Sequence, residues 1–135
     1  MMLKEIYPFV QAYAFIIGLA VGSFLNVIIY RLPNNKSIVK PRSKCTGCDT
    51  QISWYDNIPV LSYVLLLGKC RDCKTSISVR YPLIEFICGL MTVMLLSIYG
   101  ISYEFLVIVL FCYMLIAITF IDIDHFIIPN EFIIF

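Results

Sequence analysis

Four of the six cysteines form two Cys-x-x-Cys pairs, a spacing that is typical of tetrahedral metal sites. The segment 44–53 aligns with the segment 69–78 at an offset of 25 residues, and six of the ten positions are identical. Each pair can place two thiolates on one ion, so two pairs complete a four-sulfur site. The sequence therefore predicts one metal site whose ligands are Cys45, Cys48, Cys70 and Cys73.

Two disulfide bonds are the alternative use of these cysteines. The surrounding loop is predicted below to lie in the reducing cytoplasm, where lasting disulfides are rare, and we therefore favour a structural zinc ion. Rubredoxin-type iron uses the same four thiolates, so the sequence leaves the identity of the metal open. Cys88 and Cys112 lie in apolar segments without a ligand-spaced partner and are predicted to be packing residues.

A second chemical feature is the acidic pair Asp122 and Asp124, which stands at the end of an apolar segment. Ionisable groups beside a membrane span are candidates for function. Residues i and i+2 of a helix point about 200° apart, so we expect only one of the two carboxylates to face a substrate. An aspartyl protease needs one ionised and one protonated carboxyl group, and no other acid of this sequence stands in a Gly-x-Gly-Asp setting.

Membrane-spanning helices are needed to position these residues. The chain has 135 residues, of which 61% are hydrophobic and 14% charged, whereas a soluble domain carries about 25% charged residues. Three apolar stretches can span a bilayer: 8–30, 83–99 and 105–121. We predict an all-α polytopic membrane protein with an N-terminal transmembrane helix (1–30), a small four-cysteine zinc-knuckle domain (31–82), and helices two and three with the start of a fourth (83–135). Because the sequence turns apolar again from residue 126, we expect the chain to be the N-terminal part of a longer protein.

The charge distribution predicts the orientation of these helices. Nine of the ten Lys and Arg residues lie between Arg31 and Arg80, beside only three acidic residues. The positive-inside rule places this loop in the cytoplasm and the N-terminus outside. Helix three then returns Asp122 and Asp124 to the cytoplasmic side. The formal net charge of +1 argues against nucleic-acid binding.

Two other segments carry structural expectations. Ala14, Gly18 and Gly22 recur every four residues in helix one and predict close packing against another helix. The apolar run 58–67 inside the loop is too short to span a bilayer, so we expect it to lie at the membrane interface or to pack under the cysteine pairs.

Five motifs together make the chain resemble the bacterial type IV prepilin peptidases. They are Gly22-Ser-Phe-Leu-Asn-Val-Ile-Ile-Tyr-Arg-Leu-Pro33, the paired Cys-x-x-Cys segments, Asp56-Asn-Ile-Pro59 with Ser62-Tyr63, Ile77-Ser-Val-Arg-Tyr-Pro82 with Glu85, and Ile121-Asp-Ile-Asp-His-Phe-Ile-Ile-Pro-Asn130. The resemblance implies an inner-membrane GxGD-type aspartyl peptidase. Such enzymes cut the leader from type IV prepilins and type II secretion pseudopilins, and many members methylate the new N-terminus with S-adenosylmethionine.

The resemblance also assigns roles to single residues. It places the first catalytic aspartate in the 121–130 motif, and the spacing to Pro129-Asn130 ranks Asp122 above Asp124. The family's second aspartate belongs to a Gly-x-Gly-Asp segment that this sequence lacks. Four further residues match the motifs and are expected to do no more than pack or anchor the loop: Asn26, Arg31, Arg80 and Glu85. For Asn26, together with Ser23, the sequence leaves open that it lines a site.

The rival hypothesis is a non-catalytic membrane-anchored zinc-knuckle scaffold or fragment, inactive for lack of the second aspartate. The peptidase hypothesis predicts prepilin or pseudopilin precursors and membrane lipid as partners.

Overall fold

The computed structural model describes the backbone of residues 2–125 and the side chains of residues 6–124. Its helices are α1 (Met2–Arg31), α2 (Leu61–Leu65), α3 (Arg80–Tyr99) and α4 (Tyr103–His125), with a short 3-10 helix at Trp54–Asn57. The described residues contain no β-strand, only two isolated bridges in the loop domain. The structure confirms the predicted all-α fold with a four-cysteine loop between the first two membrane-spanning helices, which are α1 and α3. The predicted start of a fourth helix, with its Pro129-Asn130 motif, lies outside the described residues.

Three of the helices are long and apolar enough to cross a membrane: Ile6–Arg31, Arg80–Tyr99 and Tyr103–Asp124. They correspond to the three predicted stretches. Helix α3 begins at Arg80, three residues before the second apolar stretch, and α4 continues through both aspartates. A tight turn at Gly100, whose φ is 63°, joins α3 to α4, so both ends of the loop domain and the two aspartates lie at the opposite end of the bundle.

Glycines allow α1 and α3 to pack closely, as the sequence predicts. A Cβ added at Gly22 would lie 2.6 Å from the Cα of Glu85, and one added at Gly18 would lie 2.7 Å from the Cα of Gly89. Real Cβ atoms essentially never approach other atoms this closely, so any larger residue at these crossings would force the two helices to shift.

The bundle core forms along one stripe of α4. Val109, Tyr113, Ala117 and Ile121 recur every four residues and are all buried. They pack with buried residues of the other two spanning helices: Leu25, Ile29, Ile84 and Cys88. Cys88 is fully buried in this core, which confirms its predicted packing role.

Candidate functional site

The two Cys-x-x-Cys segments adopt the same local structure. In each one a Lys and a Ser or Gln form an antiparallel bridge, Lys44 with Gln51 and Lys69 with Ser76. The first cysteine of each segment donates its backbone N–H to a threonine carbonyl five residues later, at 2.9 Å in both copies. These pairings keep the offset of 25 residues, so the sequence repeat is also a structural repeat.

The two repeats face each other and bring the four predicted ligands together. The sulfur atoms of Cys45, Cys48, Cys70 and Cys73 all lie within 4.8 Å of one another, and the Sγ atoms of Cys45 and Cys73 are 3.6 Å apart. Zinc–sulfur bonds of about 2.3 Å in a tetrahedron require sulfurs roughly 3.8 Å apart, so the four thiols fit one tetrahedral ion. All six cysteines of the chain are free thiols, which argues against the disulfide alternative.

The thiols of this cluster differ in their acidity. Hydrogen bonds with the side chain and backbone of Thr75 lower the pKa of Cys73 to about 6. Hydrogen bonds from the Gly47 and Cys48 amides lower the pKa of Cys45, but the nearby Cys70 and Cys73 thiols and burial oppose them, and the net result is a pKa of about 11. Four adjacent thiols cannot all ionise without a cation, and a metal ion bound between them would supply the missing positive charge.

Polar contacts hold the loop domain against the bundle. The buried Asn26 side chain donates to the Tyr81 carbonyl at 3.0 Å, and the buried Glu85 carboxylate accepts the Val60 amide at 2.7 Å. Arg31 donates to the carbonyls of Ser37 and Pro41. These contacts confirm the expected packing and anchoring roles. Val60 has a φ of 59°, which β-branched residues rarely adopt, so the bond to Glu85 stabilises an otherwise unfavourable backbone.

The two aspartates have different surroundings. Because α4 continues through His125, Asp122 and Asp124 point in different directions, as their spacing predicts. Nη1 of Arg80 lies 2.6 Å from both carboxylate oxygens of Asp124. Arg80 also donates to the Phe120 carbonyl and lies over the Phe120 ring. The Asp122 side chain is exposed and forms no hydrogen bond or ion pair with any side chain that the structure describes.

The sequence did not predict the partners of Arg80 and Glu85. Both residues did carry a signal, because Glu85 is a charged group inside the predicted span 83–99 and Arg80 stands three residues before it, where an unpaired charge is costly. The partner cannot be predicted from either charged residue alone, since Asp124 is 44 residues from Arg80 and the backbone amide of Val60 is 25 residues from Glu85.

A cavity of about 660 Å³ lies between the loop domain and the ends of α1 and α3. Its volume is within the range of small-molecule sites, roughly 300 to 1,000 Å³. Its lining combines tyrosines with ionisable groups, among them Tyr30, Tyr55, Tyr63, Tyr81 and Glu85.

Three membrane-spanning helices and a four-thiol domain, placed at the end of the bundle that carries two aspartates, define a polytopic membrane protein with a cysteine-rich domain after its first span. The family described as "Bacterial Peptidase A24 N-terminal domain" matches residues 16–99. The chain therefore belongs to this family of bacterial A24 peptidases, as its motifs predict.

Curated relatives named "Prepilin leader peptidase/N-methyltransferase" support the same assignment. One from Myxococcus xanthus is 45% identical over 90% of this chain, one from Neisseria gonorrhoeae is 37% identical over 96%, and one from Stutzerimonas stutzeri is 36% identical over 89%. The chain spans only 36%, 54% and 50%, respectively, of the length of these relatives. No solved structure matches the chain.

Proposed function

We propose that this chain forms the N-terminal part of a membrane aspartyl peptidase that cleaves the leader of type IV prepilins and type II secretion pseudopilins. The family relationship and the names of the curated relatives support this function. The observation that carries it further is the difference between the two aspartates, which are both exposed at the same end of the bundle: Asp124 pairs with Arg80, whereas Asp122 has no partner among the side chains that the structure describes.

Asp122 is the proposed catalytic residue of this chain. Peptide hydrolysis by two carboxyl groups needs an ionised group to activate water and a protonated group to polarise the scissile carbonyl. Arg80 lies 2.6 Å from both carboxylate oxygens of Asp124, which leaves these oxygens less free to hold a water molecule than those of Asp122. The second acid is expected from the Gly-x-Gly-Asp segment that the resemblance implies.

The proposed location is the bacterial cytoplasmic membrane, with the four-cysteine domain in the cytoplasm. Nine basic residues between Arg31 and Arg80 favour this orientation. A cysteine at the exposed position Ile101, between α3 and α4, should react with a membrane-impermeant reagent in intact cells, whereas a cysteine at the exposed position Ser37 should not. The reverse labelling pattern would contradict the orientation.

Zinc is the proposed ion of the four-thiol site, with a structural role. Cys45, Cys48, Cys70 and Cys73 would hold it, and the ion would fix the two repeats against each other. Iron bound by the same thiolates is the alternative.

We also propose that the full-length protein methylates the N-terminus exposed by cleavage. This activity rests on the term N-methyltransferase in the relatives' name. S-adenosylmethionine supplies the methyl group in such reactions. The tyrosines and Glu85 in the 660 Å³ cavity suit a ligand that combines an aromatic base with a positive charge. Calorimetric titration of the metal-loaded chain with S-adenosylmethionine tests this assignment, and Tyr63→Ala, in the lining, should weaken binding.

Cleavage of a prepilin in membranes tests the peptidase proposal. The chain should replace the matching segment of the Myxococcus xanthus relative without loss of leader removal, seen as a shift in prepilin mobility. Asp122→Asn together with Asp124→Asn should abolish cleavage in this chimera. Unimpaired cleavage by the double variant would contradict an aspartyl peptidase. Residues 1–135 alone should not cleave, since an acid dyad needs the second carboxyl group.

A further inference from the structure

The short helix α2 presents an apolar stripe to the outside of the loop domain. Leu61, Val64 and Leu65 occupy positions i, i+3 and i+4 and are 51%, 60% and 73% exposed, and Leu67 beyond the helix is 83% exposed. Ser62 points the other way, is buried, and donates to the Tyr55 carbonyl at 2.9 Å. The helix is therefore amphipathic. No residue in the described part of the chain packs closely enough against its apolar side to bury it.

The contact with Glu85 fixes the height of α2 relative to the membrane. At 1.5 Å per residue the 20 residues of α3 extend about 30 Å, the thickness of the hydrocarbon core, so the whole helix is needed to cross it. Glu85 lies five residues into α3, roughly 8 Å from its start. Since its carboxylate binds the amide of Val60, α2 begins close to the level of the acyl chains.

The surroundings of the stripe suit a lipid surface. Leu83 and Phe86 of α3 are 47% and 48% exposed and lie close to Glu85 along the helix, so α3 presents an apolar surface at this same level. Lys69 and Lys74 follow the stripe and are exposed, which allows them to reach anionic headgroups while the leucines remain in the apolar layer.

We propose that α2 is an interfacial anchor, inserted by Leu61, Val64, Leu65 and Leu67 into the lipid leaflet that faces the loop domain. The occupant of its apolar stripe is the acyl region of the membrane. Its five residues cover only about 8 Å, so α2 lies in the leaflet and does not cross it. The anchor would hold the four-thiol domain flat against the ends of the spanning helices. It does not depend on the proposed catalytic activity.

Fluorescence quenching by brominated lipids tests the anchor in the whole metal-loaded chain. Trp54 is the only tryptophan, so Trp54→Phe gives a background in which single tryptophans are placed at Leu65 or, as a second site, at Val64. Thr46→Trp, at an exposed position of the first cysteine repeat, is the matched control. The vesicles contain phosphatidylcholine and phosphatidylglycerol with bromine on the acyl chains.

The proposal predicts that brominated chains quench the tryptophans at positions 65 and 64 several-fold more strongly than the one at position 46. Equal, weak quenching at all three positions would overturn it, because the stripe would then face water. Blue-shifted emission at positions 65 and 64 without quenching would also overturn it, because another protein segment or a second copy would then cover the stripe. Equal metal content in all variants shows that the domain is folded.

Discussion

The loop domain and the helix bundle of this protein are stabilised in different ways. Between residues 32 and 79 only Cys45, Ser62 and Gly68 are buried, so the loop domain has almost no apolar core. The bundle contains fully buried residues on two helices, such as Ile84 and Ile121, and its helices approach closely at glycines. A domain without a core needs another source of stability, and the metal ion proposed for the four thiols would supply it. The two regions should therefore respond to different mutations.

Removal of metal ligands should have the largest effect, and only on the loop domain. Cys45→Ser combined with Cys70→Ser takes one ligand from each repeat, and structural zinc contributes on the order of 10 to 16 kcal/mol in small domains. We expect complete loss of bound metal and rapid proteolysis within residues 32–79, with the helical content of the bundle retained. Elemental analysis and limited proteolysis in detergent measure both.

Cys112→Ser is the matched control for this experiment, because Cys112 lies in α4 away from the cluster. It should keep the metal. Metal content unchanged in the double variant would refute the four-thiol site.

A change at the α1–α3 crossing should have the opposite pattern. Gly22→Ala places a Cβ against the backbone of Glu85, and overpacking of this kind costs about 1 to 3 kcal/mol. Thermal unfolding of the bundle should shift downward while the metal content stays constant. Ala20→Val, on the exposed side of α1, adds more volume and should change little. An equal effect of the two substitutions would mean that the helices do not cross at Gly22.

The Arg80–Asp124 ion pair joins the start of α3 to the end of α4 and should give a smaller effect. Both side chains are about one-third exposed, at 31% and 32%, so solvent weakens the pair. A double-mutant cycle with Arg80→Ala and Asp124→Ala should give a coupling free energy of about 0.5 to 1 kcal/mol in unfolding experiments. Purely additive effects would show that the pair does not form.

The Asp56–Arg71 ion pair within the loop domain should have the smallest effect, and it should depend on pH. Hydrogen bonds from the Arg71 guanidinium, at 2.6 and 2.8 Å, lower the pKa of Asp56. A lowered folded-state pKa stabilises the domain above the unfolded pKa of about 3.9, and this contribution is lost as the pH falls through the folded value.

Asp56→Asn should therefore destabilise the domain by less than about 1 kcal/mol at neutral pH. The difference in stability between this variant and the unchanged chain should shrink below about pH 4. Proteolysis rates of the loop domain at several pH values measure this. A difference that grows toward acid pH would contradict the assignment.

The sequence predicts those parts of the structure that depend on local patterns. Apolar length gives the three spans, the repeat gives the four-thiol cluster, and the spacing of Gly18 and Gly22 gives the close helix crossing. The spacing of Asp122 and Asp124 also predicts correctly that they point apart.

Long-range pairings could not be predicted in the same way. The partner of Arg80 follows from the packing angle of α3 on α4, and the contact of Glu85 with Val60 follows from how the loop domain folds back onto the bundle. Neither geometry is encoded in the periodicity of one segment. The sequence also left open whether the apolar run 58–67 lies at the membrane interface or packs under the cysteine pairs. The contact of Val60 with Glu85, which lies within a membrane-spanning helix, favours the membrane interface.

The catalytic role of Asp122 is tested most directly by replacing the two aspartates one at a time in the chimera with the Myxococcus xanthus relative. Asn keeps the size of Asp but cannot ionise, so a catalytic carboxylate should lose activity by a factor of about 100 to 10,000. We expect this loss for Asp122→Asn and a milder loss for Asp124→Asn, whose carboxylate pairs with Arg80. Cleavage that survives Asp122→Asn but is abolished by Asp124→Asn would contradict the catalytic role of Asp122.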